Sequence, residues 1–272
     1  PAGRRLGRLN PGPRDWRWPM MRVSLRFYAE LNDFLPPERR MVEFEHLAAD
    51  RASVKDVIES AGVPHAEVDL ILVNGVSVDF AHPVSDGDRI SVYPVFESLD
   101  ITPVIRLRPR PLRNPRFVLD THLGRLAGYL RMLGFDTLYR NDYDDAEIVR
   151  ISCDENRIVL TRDKGLLMRN ALSHGYWVRA TRVREQAVEV VRRFDLAGQV
   201  RPFSRCIVCN QELRPVAKGE IADRLPPKTR QYYEEFSACD SCGRIYWNGS
   251  HYERMRRTVD WILAEARGGE GR

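Results

Sequence analysis

Residues 157–167 read RIVLTRDKGLL and residues 116–126 read RFVLDTHLGRL. In each, a short apolar run suited to a buried strand ends in an acid, Asp163 or Asp120, just before a stretch with helical spacing. The rhythm continues around them: DTLYR, a helix from about Asp144 to Asn156, KGLLMRNAL, YWVRA and VREQAVEVVRRFDL. Short apolar strands alternating with amphipathic helices predict a parallel sheet covered on both faces, so residues 117–200 read as an α/β domain.

In such sheets ligands bind beyond the carboxyl ends of the strands. If the strands ending at Leu119 and Thr161 are neighbours, Asp120 and Asp163 share one crevice. NDYDDAE at 141–147 follows the second strand and adds Asp142, Asp144, Asp145 and Glu147 to the same edge. Converging carboxylates repel unless a cation lies among them, and an all-oxygen set suits Mg²⁺ or Mn²⁺. Each acid also has an ordinary use. Asp120 caps a helix starting near His122, Asp144 with Glu147 makes a D-x-x-E capping box, and Asp163 caps a helix at Lys164. His122 and His174 read as surface or turn residues. Motifs for a nucleophile elbow, a P-loop or a dinucleotide fold are missing.

Upstream, VSLRFYAEL and MVEFEH alternate, SVKDVIESAGV has helical spacing behind Ser53, and VDLILVNGVSV turns at Asn74 and Gly75 before RISVYPV. Two strands, a helix and further strands predict an α+β β-grasp module over 21–100. It lacks the terminal Gly-Gly of a sulfur carrier, because the chain runs on through Phe96, Glu97 and Ser98. Residues 101–116 hold four prolines and five arginines and read as an extended linker. Residues 1–20 read as a disordered extension.

Five cysteines include two C-x-x-C pairs, Cys206 with Cys209 and Cys239 with Cys242. Four thiolates suit a closed, tetrahedral, structural Zn²⁺ site, and residues 201–254 read as a zinc ribbon. The 29 residues between the pairs predict an inserted segment that loops out around Leu225-Pro226-Pro227. Cys153 reads as a small buried residue on a helix. Residues 255–272 read as a C-terminal helix and tail. No run of about 20 apolar residues suggests a membrane span, and unpaired cysteines fit a reducing compartment, so the chain reads as cytoplasmic.

The net charge of +5 is unevenly spread. Residues 20–100 carry 7 basic and 15 acidic groups, whereas 101–116 carry five arginines and no acid. The acidic module is a poor match for a phosphate backbone, and the basic remainder is a plausible one. The module's charge predicts that it shields a basic crevice.

The stretch FVLDTHLGRLAGYLRMLGFDT, with NDYDDAEIVRI and RIVLTRDKGLL, resembles the Mut-7 C-terminal RNase domain family, a branch of the PIN-like nucleases. The resemblance covers roughly residues 117–254, and the β-grasp module is similar to the ubiquitin-like domain that accompanies some members. It implies metal-binding acids at Asp120, at Asp144 or Asp145, and at Asp163, with Arg125 and Arg162 beside the crevice holding phosphate. Lys164 and Arg125 would add electrostatic stabilisation. YWNGSH is similar to a family motif after the last knuckle and implies that Trp247 and His251 face the substrate. The function expected is metal-dependent hydrolysis of RNA, with a protein partner for the β-grasp module. The alternative is a non-catalytic RNA-binding adaptor whose acids are only caps.

Overall fold

Ser53 starts the first helix as its sequence predicts. Its side chain accepts the Asp56 N–H, and the Asp56 carboxylate accepts the Ser53 N–H, so both ends of a capping box are made. The structure, a computed structural model, describes residues 20–94 and 115–268. The expected disordered extension, apart from Met20, which begins the first strand, and most of the Arg/Pro linker lie outside the described residues.

The N-terminal module comprises β1 (Met20–Phe27), β2 (Phe44–Ala49), α1 (Val54–Ser60), β3 (Val68–Val73), β4 (Val76–Val78) and β5 (Arg89–Pro94). Its sheet runs β2-β1-β5-β3-β4, with β1 and β5 parallel at the centre, which is the β-grasp arrangement. Asn74 and Gly75 both have positive φ, 51° and 83°, as a two-residue hairpin turn requires. Val54, Val57 and Ile58 of α1 pack on Leu25, Phe27, Ile71 and Ile90.

The second domain comprises β6 (Phe117–Leu119), α2 (Gly124–Met132), β7 (Thr137–Leu138), α3 (Asp145–Glu155), β8 (Ile158–Thr161), α4 (Lys164–Leu167), β9 (Gly175–Trp177) and α5 (Val183–Arg193). Its four strands are parallel in the order β7-β6-β8-β9. Successive strand residues point to opposite faces. Phe117, Leu119, Ile158 and Leu160 meet α2 and α5, while Val118 and Val159 meet α3 and α4. Cys153 of α3 does not join that core: it is exposed, its thiol 3.1 Å from the Ala171 carbonyl, because it sits on the flank of α3 rather than on the face of Ile148 and Ile151.

The third unit comprises β10 (Arg214–Val216), α6 (Lys218–Ile221), α7 (Pro227–Tyr232), β11 (Phe236–Ala238) and β12 (Ile245–Trp247), its antiparallel strands ordered β10-β11-β12. The segment between the cysteine pairs does not simply loop out: it holds β10, α6, α7 and β11. A last helix, α8 (Ser250–Arg267), starts within the span read as ribbon and returns Val259, Ile262 and Ala266 to the core beside α5.

Two buried side chains close the open edges of the parallel sheet. At the β7 edge, Asn210 accepts the Thr137 N–H at 2.8 Å through Oδ1. At the β9 edge, Glu67, fully buried and contributed by the β-grasp module, accepts the Trp177 N–H at 2.5 Å. Around Glu67, Arg179 reaches Glu67 at 3.3 Å and Asp33 at 2.6 Å, and Arg193 reaches Glu30 at 3.0 Å. Ala66 packs with Leu166, Leu167 and Leu172. The β-grasp module is therefore docked on the α/β domain.

Burial pushes the Glu67 carboxyl up to about 7, against the opposing pull of Arg179 and the Trp177 N–H. Its usual value is 4.5, so between the two values the folded protein holds more protons than the unfolded chain, and stability falls as pH rises across that window. Glu67→Ala leaves the buried Trp177 N–H unpaired and Arg179 with Asp33 as its remaining carboxylate partner, and is expected to cost about 1–3 kcal/mol. Glu67→Gln is expected to flatten the slope of melting temperature against pH between 4.5 and 7, and an unchanged slope would contradict this origin.

Candidate functional site

β6 and β8 are direct neighbours, with Phe117 opposite Ile158 and Leu119 opposite Leu160. Asp120 and Asp163 consequently leave the same end of the sheet. Asp120 is only 4% exposed. Its Oδ2 accepts the Thr161 hydroxyl and, at 3.0 Å, the Arg162 N–H; its Oδ1 accepts the His122 N–H at 2.8 Å. The Asp163 N–H donates to the Thr161 hydroxyl at 2.8 Å. Thr161 thus links the two acids, a role its sequence position did not suggest. Its signal was only its place as the last strand residue before R-D.

The exposed Asp163 carboxylate accepts the Gly165 N–H at 2.7 Å through Oδ1, capping α4. Asp144 caps α3 by accepting the Glu147 N–H at 2.7 Å, one half of the expected box. Asp145 is ion-paired with Arg169 at 3.0 Å, and Asp142 with Arg140 at 2.6 Å. The Arg140 hydrogen bond holds the Asp142 carboxyl below its usual range.

The cations divide in the same way. Arg125 is exposed on the first turn of α2, with no carboxylate partner among the described residues. Arg162 donates to the carbonyls of Val178, Arg179 and Ala180 at 3.2, 3.2 and 2.6 Å, so it fastens the chain leaving β9. Lys164 lies 4.0 Å from the Trp177 ring and 4.8 Å from that of Phe34, under the β-grasp module. Burial and the neighbouring Arg179 lower its pKa. His122 Nδ1 stands 3.6 Å from Asp120 Oδ1, a pairing that the D-T-H spacing carried.

Among the described residues, the cluster of three or more metal-capable side chains is Cys206, Cys209, Cys239 and Cys242, with all four Sγ within 4.8 Å of one another. Cys206 and Cys242 are 3.5 Å apart, Cys209 and Cys239 3.3 Å. Asn210 and Gly243, at φ 73° and 71°, turn the chain after each pair, and each donates its N–H to the carbonyl of its knuckle's first cysteine. A Zn–S distance of about 2.3 Å sets tetrahedral sulfurs roughly 3.8 Å apart, so the four thiols fit such an ion. Burial opposes ionisation of Cys206, but the Tyr246 hydroxyl and the N–H groups of Cys209 and Val208 outweigh it and bring the thiol down to about 6. Burial pushes Cys239 up to about 12.

The Mut7-C RNAse domain family matches residues 115–259, and the Mut7-C ubiquitin family matches residues 20–100. The chain belongs to the Mut7-C RNAse domain family. No curated protein matches it. Three solved chains match, among them the solution structure of the Haloferax volcanii HVO 2177 protein, at 22% identity over 33% of this chain and 100% of that one, with a TM-score of 0.26.

In this Mut7-C chain the cysteine cluster is coupled to the sheet. Asn210, the residue that turns the first knuckle, holds both Thr137 and, at 2.7 Å, Asp136. Arg131 joins the Thr137 carbonyl to that of Val208 at 2.9 and 2.7 Å. Trp247 and His251 line a cavity in the ribbon. Removing the cation with a strong chelator is expected to lower the melting temperature of the whole chain, and Cys239→Ser to do the same. A ribbon that loosens while the rest melts unchanged would contradict the coupling.

Proposed function

We propose that this chain hydrolyses RNA phosphodiester bonds at the carboxyl ends of β6 and β8, using Mg²⁺ or Mn²⁺. The observation that carries the reading is Asp120: a carboxylate 4% exposed, held by three hydrogen bonds across two parallel strand ends and linked through Thr161 to Asp163. The family match supports a nuclease-like domain.

A hard cation that keeps several waters needs only one or two carboxylates. The Asp163 oxygen not engaged by Gly165 and the one lone pair left on Asp120 Oδ1 suit it, with Asp144 or Asp145 as the further oxygen donor that the family resemblance implies. When bound, the ion makes a water more acidic and neutralises charge on the phosphoryl group. Arg125, exposed on the first turn of α2 and with no carboxylate partner among the described residues, would hold the scissile phosphate. Arg162 keeps the strand end in place, and Lys164 adds positive potential beside the β-grasp interface. The thiolate cluster needs a reducing compartment, which supports a cytoplasmic site of action. The ubiquitin-like module is the part suited to a protein partner.

A second reading, an RNA-binding adaptor, is favoured by one observation: Asp120, Asp144 and Asp163 all serve as helix caps. Labelled single-stranded RNA with Mg²⁺ or Mn²⁺ separates the two. The nuclease reading expects cation-dependent cleavage, reduced about 100-fold or more in Asp163→Asn, with RNA affinity within about twofold. Binding without cleavage under every condition would establish the adaptor.

A further inference from the structure

Between the ribbon and the start of α8 lies a cavity of about 690 Å³. This is the size of sites that hold a small ligand. Tyr232, Tyr246 and Trp247 line it, with Lys228, Arg244 and His251. A small ribbon needs aromatic residues for its core, and Phe236 and Tyr233 meet that need beside Val216, Ile221 and Leu225, with Trp247, half-buried, packing against them and also lining the cavity. Tyr232 does not serve that core: it is 70% exposed and outside that cluster.

The charges around the cavity are equally telling. Carboxylates of the ribbon are taken by other cations: Glu212 by Arg205, Asp240 by Arg214 and Glu234 by Lys218. Lys228 and Arg244 have no carboxylate partner among the described residues. Gly249 lets the indole lie this close, because a Cβ there would stand 2.9 Å from Trp247 Nε1. The ring therefore folds closely over the backbone at the cavity wall.

Aromatic walls offer a stacking surface to any base, and uncompensated cations offer a phosphate site. Bases in an A-form duplex are stacked and paired, so only an unpaired base can enter. We propose that this cavity is a subsite for an unpaired nucleotide of single-stranded RNA, separate from the acidic sheet edge. The base stacks on Trp247 and Tyr232, and the phosphate lies against Lys228 and Arg244. The choice of RNA rests on the nuclease reading, which the subsite deepens by making the ribbon the reader of single strands.

The test uses the zinc-loaded full chain carrying Asp163→Asn, with fluorescein-labelled single-stranded RNA and a duplex of the same sequence, read by anisotropy. Adding Tyr232→Ala or Trp247→Ala is expected to raise the single-strand Kd about 5- to 150-fold and leave the duplex Kd within twofold. Tyr232→Ala alters an exposed ring, so an unchanged melting temperature and zinc content confirm its fold. Single-strand affinities within twofold of the parent for both variants would overturn the subsite and leave the cavity to another ligand, such as a peptide. An equal loss for the duplex would also overturn it.

The two proposals fail separately. If the chain with Asp163 intact cleaves nothing while Tyr232→Ala loses RNA, the sheet-edge reading falls and the subsite stands. If cleavage is normal and both variants bind like the parent, the reverse holds.

Discussion

A parallel sheet whose strands are two to four residues long has two open edges and little length over which to satisfy them. In this protein one side chain from each flanking unit closes an edge. Glu67 of the β-grasp module accepts the Trp177 N–H, and Asn210 of the first zinc knuckle accepts the Thr137 N–H. Neither is a lone contact. Arg179, Arg193 and Ala66 surround the first, and Arg131 and Asp136 surround the second. The three units are thereby parts of one structure, and α8 adds a third tie by returning from the ribbon to the core of the α/β domain.

That closure bears on the acidic edge. β6 and β8 occupy the two central positions, so Asp120 and Asp163 stand on the strands least exposed to fraying. The Thr161 hydroxyl spans the two strand ends, accepting from the Asp163 N–H and donating to Asp120. Capping and chemistry are compatible here: a cap uses one lone pair of a carboxylate oxygen, which leaves others for a cation. The acidic β-grasp module meets cations next to this edge, with Asp33 and Glu67 on Arg179 and the Asp33 carbonyl 3.4 Å from Lys164. Charge complementarity between the units is thus local, built from a few partners rather than from net charge.

Much of this was legible because its signals are local. The Ser53 cap, the Asn74-Gly75 turn, the acids at strand ends and the two C-x-x-C knuckles each lie within a few residues of the structure they specify. Glu67, Asn210, Arg131 and Arg179 carried no such signal. Each is a polar residue whose meaning comes from a partner in a different unit, such as Arg179 for Glu67 across 112 positions. The same reason explains Arg162 and Lys164, which read as substrate cations beside T-R-D but have internal partners that only the folded chain supplies. Cys153 shows the opposite error, an apolar-looking residue placed on an exposed flank because its helix face depends on how α3 packs.

The central claim is that the sheet bearing the acidic edge is held at both sides by its neighbours. Native-state hydrogen exchange at the Trp177 and Thr137 amides tests it most directly, comparing the zinc-loaded chain with the same chain after chelation and with Glu67→Ala. The account predicts that both amides are protected in the intact protein, that chelation releases Thr137 first, and that Glu67→Ala releases Trp177 first. Equal protection of both amides in all three states would contradict it.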